Sequence, residues 1–236
     1  IGKSINTFSD MASPEVINEM AKRGVYIGKI KSKSHPMMKS FIFVTRHNLQ
    51  IINLEKTAQK LSEALEFVKN IAKNKGVIVF IATKMPSKML IKEAAMKCGM
   101  PYVETRWLGG TLTNSNTFLK RIEYFLSLEK QKETGELAKY TKKEQVKIEK
   151  ELADLSKNLN GLRSLKKLPE AIFVIDAAAH EWAIHEANIT KIPVVAIANT
   201  DADPSVITHP IPANSESLES VRFILDKVVE TINENK

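Results

Sequence analysis

The chain has 236 residues, enough for one domain with an insertion or two modest domains, and its 43% hydrophobic content supports a sizeable core. Its single cysteine, Cys98, excludes an internal disulfide and a cysteine-rich zinc module, and no apolar run approaches a membrane span. The net charge of +8 is uneven: Lys/Arg outnumber Asp/Glu by 18 to 8 over residues 1–107 and by 13 to 8 over 108–167, but are outnumbered by 11 to 4 over 168–236. One end can therefore face polyanions while the other faces solvent or protein. Ile1 to Asp10 shows no signal-peptide pattern, so a soluble protein of a reducing, intracellular compartment is expected.

Residues 1–12 lack periodicity and are expected to form a flexible arm. Ser13-Pro14-Glu15 supplies an N-cap, a first-turn proline and a dipole-compensating acid, so a helix is predicted from there to about Gly24. From Val25 to Ser40 the lysines Lys29, Lys31, Lys33 and Lys39 alternate with small polar residues, which predicts a loop suited to phosphate contact. Phe41–Val44 and Leu49–Ile52 read as two strands around Thr45-Arg46-His47-Asn48, a hairpin. Leu54, Ala58, Leu61, Leu65, Val68 and Ala72 then mark an amphipathic helix, with Gly76 expected to close it.

Val77–Ala82 is an unbroken apolar run of the kind buried on both faces of a parallel sheet, and Pro86 to Gly99 frames the next helix. A short strand at Pro101–Val103 leads into Arg106-Trp107-Leu108-Gly109-Gly110-Thr111-Leu112-Thr113-Asn114. Here a forked cation and a large aromatic ring precede two glycines, a combination suited to phosphate contact and close backbone approach. Leu119, Ile122 and Leu126 mark a helix broken at Thr134-Gly135. A second begins near Thr141, with Ile148, Leu152, Leu155, Leu159 and Leu162 at coiled-coil spacing. This hairpin, placed at residues 112–164, is expected to project from an α/β body formed by residues 13–111 and 165–236. Strands at Ala171–Asp176 and Pro193–Ala198 alternate with helices, the last from about Ser215 to Asn233. The fold class is therefore α/β: a doubly wound, mostly parallel sheet of flavodoxin-like type carrying an αα hairpin.

Catalytic chemistry is poorly supported. Thr83-Lys84, Asp176 and Asn199–Asp203 follow strands, where open α/β sheets bind ligands, so an enzyme acting on a phosphorylated ligand is the serious alternative. Yet neither G-x-G-x-x-G nor G-x-x-x-x-G-K-[ST] occurs. His180 and His185 lie about 140° apart around a helix and cannot share an ion as an i, i+4 pair does. Asp201 and Asp203 precede Pro204 and suit turn hydrogen bonds better than a magnesium ion. Cys98 and Trp182 read as core residues. No cofactor, metal or catalytic residue is assigned.

Several stretches resemble one family, the second protein of the small ribosomal subunit in its bacterial or organellar form. They are Met37–Phe43, Ile51–Thr57, Arg106–Asn114, Leu137–Glu144, Leu168–Asp176 and Ile192–Ile197, in the family's order from about residue 16 to 232. The Trp107-Leu108-Gly109-Gly110 stretch followed by Leu112-Thr113-Asn114 is the most specific. The chain departs from the pattern at Gly24–Lys29, where the family usually has histidines, and at Ala177-Ala178-Ala179, where basic residues are common. The resemblance implies a non-enzymatic constituent of a cytoplasmic or organellar ribosome, bound to small-subunit rRNA near the head–body junction. It also implies neighbouring small-subunit proteins, including the large OB-repeat protein that recruits mRNA. The residues expected to meet RNA are Lys29, Lys31, Lys33, His35, Lys39, Arg46, His47, Lys84, Lys88, Arg106, Trp107, Gly109, Gly110, Asn114, Lys120, Arg121, Lys142 and Lys143.

Overall fold

The computed structural model describes residues 13–236; the arm expected over residues 1–12 lies outside them. Three short strands, β1 (Ile27–Ile30), β2 (Ile42–Arg46) and β3 (Leu49–Ile52), form an antiparallel sheet in the order β1-β3-β2. Five parallel strands form the second sheet: β4 (Ile78–Ile81), β5 (Tyr102–Val103), β6 (Ala171–Ile175), β7 (Val194–Ala198) and β8 (His209–Pro212). Their spatial order, β5-β4-β6-β7-β8, is the 2-1-3-4-5 winding of flavodoxin-like sheets, with the switch point between β4 and β6.

Every residue of β4, β6 and β7 is buried. Because side chains alternate along a strand, Phe80, Phe173, Val195 and Ile197 feed one core while Val79, Ile172, Val174 and Ala196 feed the other. The first core is closed by α1 (Pro14–Lys22), α2 (Leu54–Lys73), α3 (Ser87–Cys98) and α7 (Leu218–Glu234). The second is closed by α4 (Ser115–Glu133), α5 (Lys142–Leu159) and α6 (Glu181–Ile189).

The two helices of the expected hairpin do not stand apart from the body. Phe118, Ile122, Phe125, Leu155, Leu159 and Leu162 pack in the same cluster as Val79, Ile81 and Val103, so the hairpin is rooted in the body. The buried seam of α4 runs through Phe118, Ile122, Phe125 and Leu128; Leu119 is only partly buried and Leu126 is 37% exposed. On α5, Leu152, Leu155 and Leu159 are buried as their spacing predicts, and Thr141 and Glu144 form a reciprocal capping box.

Three local expectations change, and one strand stands where none is predicted. Residues 25–40 contain β1 and two 3-10 turns, Lys31–Lys33 and Pro36–Phe41, and bury Val25, Gly28 and Met38. The lysines masked this, because a short strand needs only alternate inward residues. β8, where no strand is predicted, carries Pro210 and Pro212, which an edge strand tolerates. The left-handed residue closing α2 is Lys75, with φ 52°, and Gly76 follows it, donating to the Ile71 carbonyl at 2.9 Å. Trp182 is 77% exposed: the inward face of α6 is Ala183, Ile184 and Ala187, and residue 182 lies to one side of it.

Candidate nucleic-acid interface

The small antiparallel sheet lies across the carboxyl edge of the parallel sheet and is held there by hydrogen bonds of the main chain in β1 and the segments flanking it. The N–H of Lys29 donates to Thr200 Oγ1 at 2.8 Å, the N–H of His35 to the Thr200 carbonyl at 2.8 Å, and the N–H of Asn214 to the Val25 carbonyl at 3.0 Å. The contact is close enough to require glycine: a Cβ on Gly28 would lie 2.7 Å from Thr200 Cγ2 and 2.8 Å from the Gln50 carbonyl oxygen.

This docking assembles cations that are distant in sequence. The β2–β3 turn has positive φ at both His47 (46°) and Asn48 (67°), the two-residue turn that matches strand twist. The Asn48 carbonyl accepts from the N–H of Lys31 at 2.8 Å, bringing the turn with Arg46 and His47 beside Lys31 and Lys33. Lys31, Lys33, Lys39, Arg46 and His47 are all exposed, with no ion pair among the described residues. Lys29 is different. Its ammonium pairs with Glu216 and its side chain is only 19% exposed, so it acts within the fold. His35 is half-buried; its Nδ1 accepts from the N–H of Met37 at 3.4 Å, which caps the following turn.

Lys84 follows β4 and Arg106 follows β5, so both also lie at the carboxyl edge, and Arg106 is exposed. Lys84 Nζ donates to Asp176 Oδ2 at 2.9 Å across the switch point, and this bond raises the Lys84 pKa against the opposing effect of burial. The Lys84 side chain remains 65% exposed. Lys88 is half-buried in the first turn of α3. Beneath Lys84, buried His180 ties the two strand ends together. Its Nδ1 lies 2.9 Å from the Asp176 carbonyl, and its Nε2 accepts from the N–H of Thr83 at 3.2 Å. The first contact therefore carries the proton on Nδ1, and burial pushes the ring's pKa below its ordinary 6.5.

The loop from Arg106 to Asn114 is organised by a residue that sequence reasoning passed over. Glu186, on α6, is 7% exposed, and its carboxylate accepts from the N–H of Gly110 at 2.9 Å, of Leu112 at 3.0 Å and of Thr113 at 3.3 Å. It also accepts from Trp107 Nε1 at 3.1 Å and Thr113 Oγ1 at 3.3 Å. Burial alone would raise its pKa; the bonds from Leu112, Gly110, Trp107 and Thr113 outweigh it and hold the carboxyl below the usual value. Trp107 is half-buried against the second core, where its indole N–H is held by Glu186. Gly110 has φ +85° and presents its N–H to the carboxylate, so it is needed inside the protein. Gly109 is exposed, and a Cβ there would meet nothing within 4 Å. Of these two glycines, it is Gly109 that keeps its surface open for close approach from outside. A clue to Glu186 existed: it sits beside Ala183 and Ala187 on an otherwise apolar face.

The hairpin carries the remaining candidates. Asn114 is the exposed N-cap residue of α4, and Lys120 and Arg121 are exposed near its root. Arg121 lines a groove of 650 Å³ between the two helices, together with Tyr124, Lys147 and Lys150. Lys147 and Lys150 escaped notice because an i, i+3 lysine pair reads as an ordinary solvated helix face. Lys142 and Lys143 lie in the first turn of α5, separated from the root by the length of α4, about 28 Å at 1.5 Å per residue. They do not join the edge cluster.

Among the described residues no three His, Cys, Asp or Glu side chains converge as metal ligands, and no helix is long and apolar enough to cross a membrane. Cys98 is buried and donates to the Ala94 carbonyl at 3.2 Å.

Comparison with known proteins bears on this arrangement. Residues 20–235 match the family model for ribosomal protein S2. The chain is 39% identical over 221 residues to the small ribosomal subunit protein uS2 of Dictyoglomus thermophilum, covering 94% of this chain and 90% of that one. It is 41% identical over 219 residues to the protein of the same name from Fusobacterium nucleatum, covering 92% and 89%. A relative from Petrotoga mobilis, also named uS2, is 37% identical over 220 residues, covering 93% of this chain and 76% of its own length.

Proposed function

Since the chain belongs to the ribosomal protein S2 family and is thereby a structural, non-enzymatic constituent of the small ribosomal subunit, we propose that the carboxyl edge of its sheet is its rRNA-binding face. The observation that carries the proposal is the cluster of Lys31, Lys33, Arg46 and His47, joined by the Lys31–Asn48 backbone bond and fixed to the edge through His35 and Thr200. Four exposed cationic or titratable side chains on adjoining turns at one end of the small sheet suit the phosphate backbone, whose neutralisation releases condensed counterions. Lys39, Lys84, Lys88 and Arg106 extend the surface, and exposed Gly109 leaves room for a sugar-phosphate strand. Asn114, Lys120 and Arg121 continue it onto the hairpin root, with Lys142 and Lys143 as a separate distal contact.

Lys29, His35, Trp107 and Gly110 take a different part in the same proposal: they shape the face and touch RNA little. A neighbouring large OB-repeat protein belongs to this reading as well and rests on the family resemblance. The body and the hairpin act as one assembled unit, because their second core is shared.

The test is binding of the purified chain to small-subunit rRNA. Replacing Lys31, Lys33 and Arg46 together by serine is expected to weaken binding while the unfolding midpoint stays put. Unchanged affinity would overturn the assignment of this face.

A further inference from the structure

Helix α6 presents a second surface of opposite character. Trp182 is 77% exposed and Ile189 is 59% exposed. Seven residues apart, they fall within about 20° of each other around the helix and share an outward stripe. The Trp182 ring meets the ring of His185 edge to face, with centroids 6.3 Å apart. Val206, 44% exposed, extends the apolar area across the neighbouring turn, where its carbonyl accepts from Asn188 Nδ2 at 3.0 Å.

Alongside, at the margin of the carboxyl edge, lies a groove of 370 Å³ whose lining includes the carboxylates of Glu181, Asp201 and Asp203 and the rings of His185 and His35, with His35 Nδ1 4.0 Å from Asp203 Oδ1. Asp201 brings a carboxylate whose Oδ1 is buried and receives no hydrogen bond. This part of the chain is also the acidic part, with 11 Asp/Glu against 4 Lys/Arg over residues 168–236. Three carboxylates disfavour phosphate inside this groove, which lies beside the lysine cluster of the edge and is not part of it. Single exposed apolar residues are ordinary on a protein surface. A tryptophan grouped with two further apolar side chains at the lip of an acidic groove matches the anchor-and-rim anatomy of a protein-binding surface.

We infer that the Trp182 face docks a protein segment carrying lysine or arginine beside an apolar side chain, supplied by a neighbouring protein of the small subunit. The apolar group covers Trp182 and Ile189 while the cation enters the groove toward Glu181, Asp201 and Asp203. This inference rests on the assembly role proposed above, because the partner is drawn from the same particle.

The experiment uses the full chain assembled into small subunits, with the photo-crosslinking residue p-benzoylphenylalanine at position 182 in one sample and at position 31 in another. From position 182 the expected adduct is with a protein, on a peptide containing lysine or arginine. Its yield should fall about tenfold when Glu181→Lys is added, since like charges facing one another across an interface are strongly unfavourable. Position 31 should instead give adducts with rRNA. An rRNA adduct from position 182, no adduct in subunits that contain the chain, or a yield indifferent to Glu181→Lys would overturn the inference and leave the RNA reading standing. A chain that fails to enter small subunits, with no rRNA adduct from position 31, would overturn both.

Discussion

The indole Nε1 of Trp107 donates to the buried Glu186 carboxylate at 3.1 Å, and the same carboxylate collects the N–H groups of Gly110, Leu112 and Thr113. A helix of the body thus dictates the shape of a loop some 75 residues earlier, with one carboxylate bonded to both ends of the turn. Glu186→Gln exchanges an acceptor-only group for one whose amide nitrogen confronts these donors. It should cost about 1–3 kcal/mol in denaturant unfolding. Because the Glu186 pKa is lowered by folding, its contribution is present above the ordinary carboxyl value of 4.5 and is lost as pH falls below that value. The variant should therefore show a shallower loss of stability on acidification. An equally stable variant would mean that the carboxylate does not organise the loop.

Arg106 and Trp107 are adjacent but differ in environment, exposed in one case and half-buried against the core in the other. Arg106→Ala should reduce rRNA affinity with stability nearly unchanged. Trp107→Ala should cost about 3 kcal/mol, near the lower end for a large aromatic, because part of the ring faces solvent. Measuring both quantities on both variants separates the roles. A stable Trp107→Ala protein with weakened RNA binding would make Trp107 the stacking residue.

The parallel sheet was readable because β4, β6 and β7 are continuous apolar runs, and both capping signals, Ser13 for α1 and Thr141 for α5, are local. What escaped depends on partners far along the chain. β1 exists because it pairs with β3 and packs Gly28 against Thr200, and β8 because an edge position tolerates its prolines. The same holds for the candidate interface. Lysine content marked the 29–39 segment, but only the fold separates Lys29, neutralised by Glu216, from the exposed Lys31 and Lys33. Glu186 was invisible for the same reason: its five donors lie in another part of the sequence.

Stability should also respond to pH near neutrality. Burial holds both His180 and His209 below the ordinary value of 6.5. For a histidine with a depressed folded pKa, the unfolded state takes up the proton first, so stability is full above 6.5 and declines as pH falls toward the folded values. The His180 ring should titrate below the ordinary 6.5 when followed by NMR, with the proton on Nδ1 in its neutral form. A ring half-protonated at pH 6.5 would show that the strand-end bridge to Thr83 is not maintained.

Hairpin truncations should divide sharply by position. Replacing residues 130–147 by a short linker removes mostly exposed surface and should leave the denaturant midpoint almost unchanged. Replacing residues 115–160 removes Phe118, Phe125, Leu155 and Leu159 from the second core and should lower the midpoint strongly. If the larger deletion proved harmless, the second face of the sheet would not need the hairpin root, and body and hairpin would be independent modules.

The central claim is that exposed cations pinned across the sheet edge bind small-subunit rRNA through its phosphates. The most direct measurement is the slope of log K against log salt concentration for rRNA binding, compared between the natural chain and a variant with Lys31, Lys33, Lys39 and Arg46 neutralised. The slope should shrink by up to about 0.9 for each duplex phosphate that the variant no longer neutralises, with the unfolding curve unmoved. A slope identical in the two proteins would contradict the account and remove this edge as the RNA-binding face.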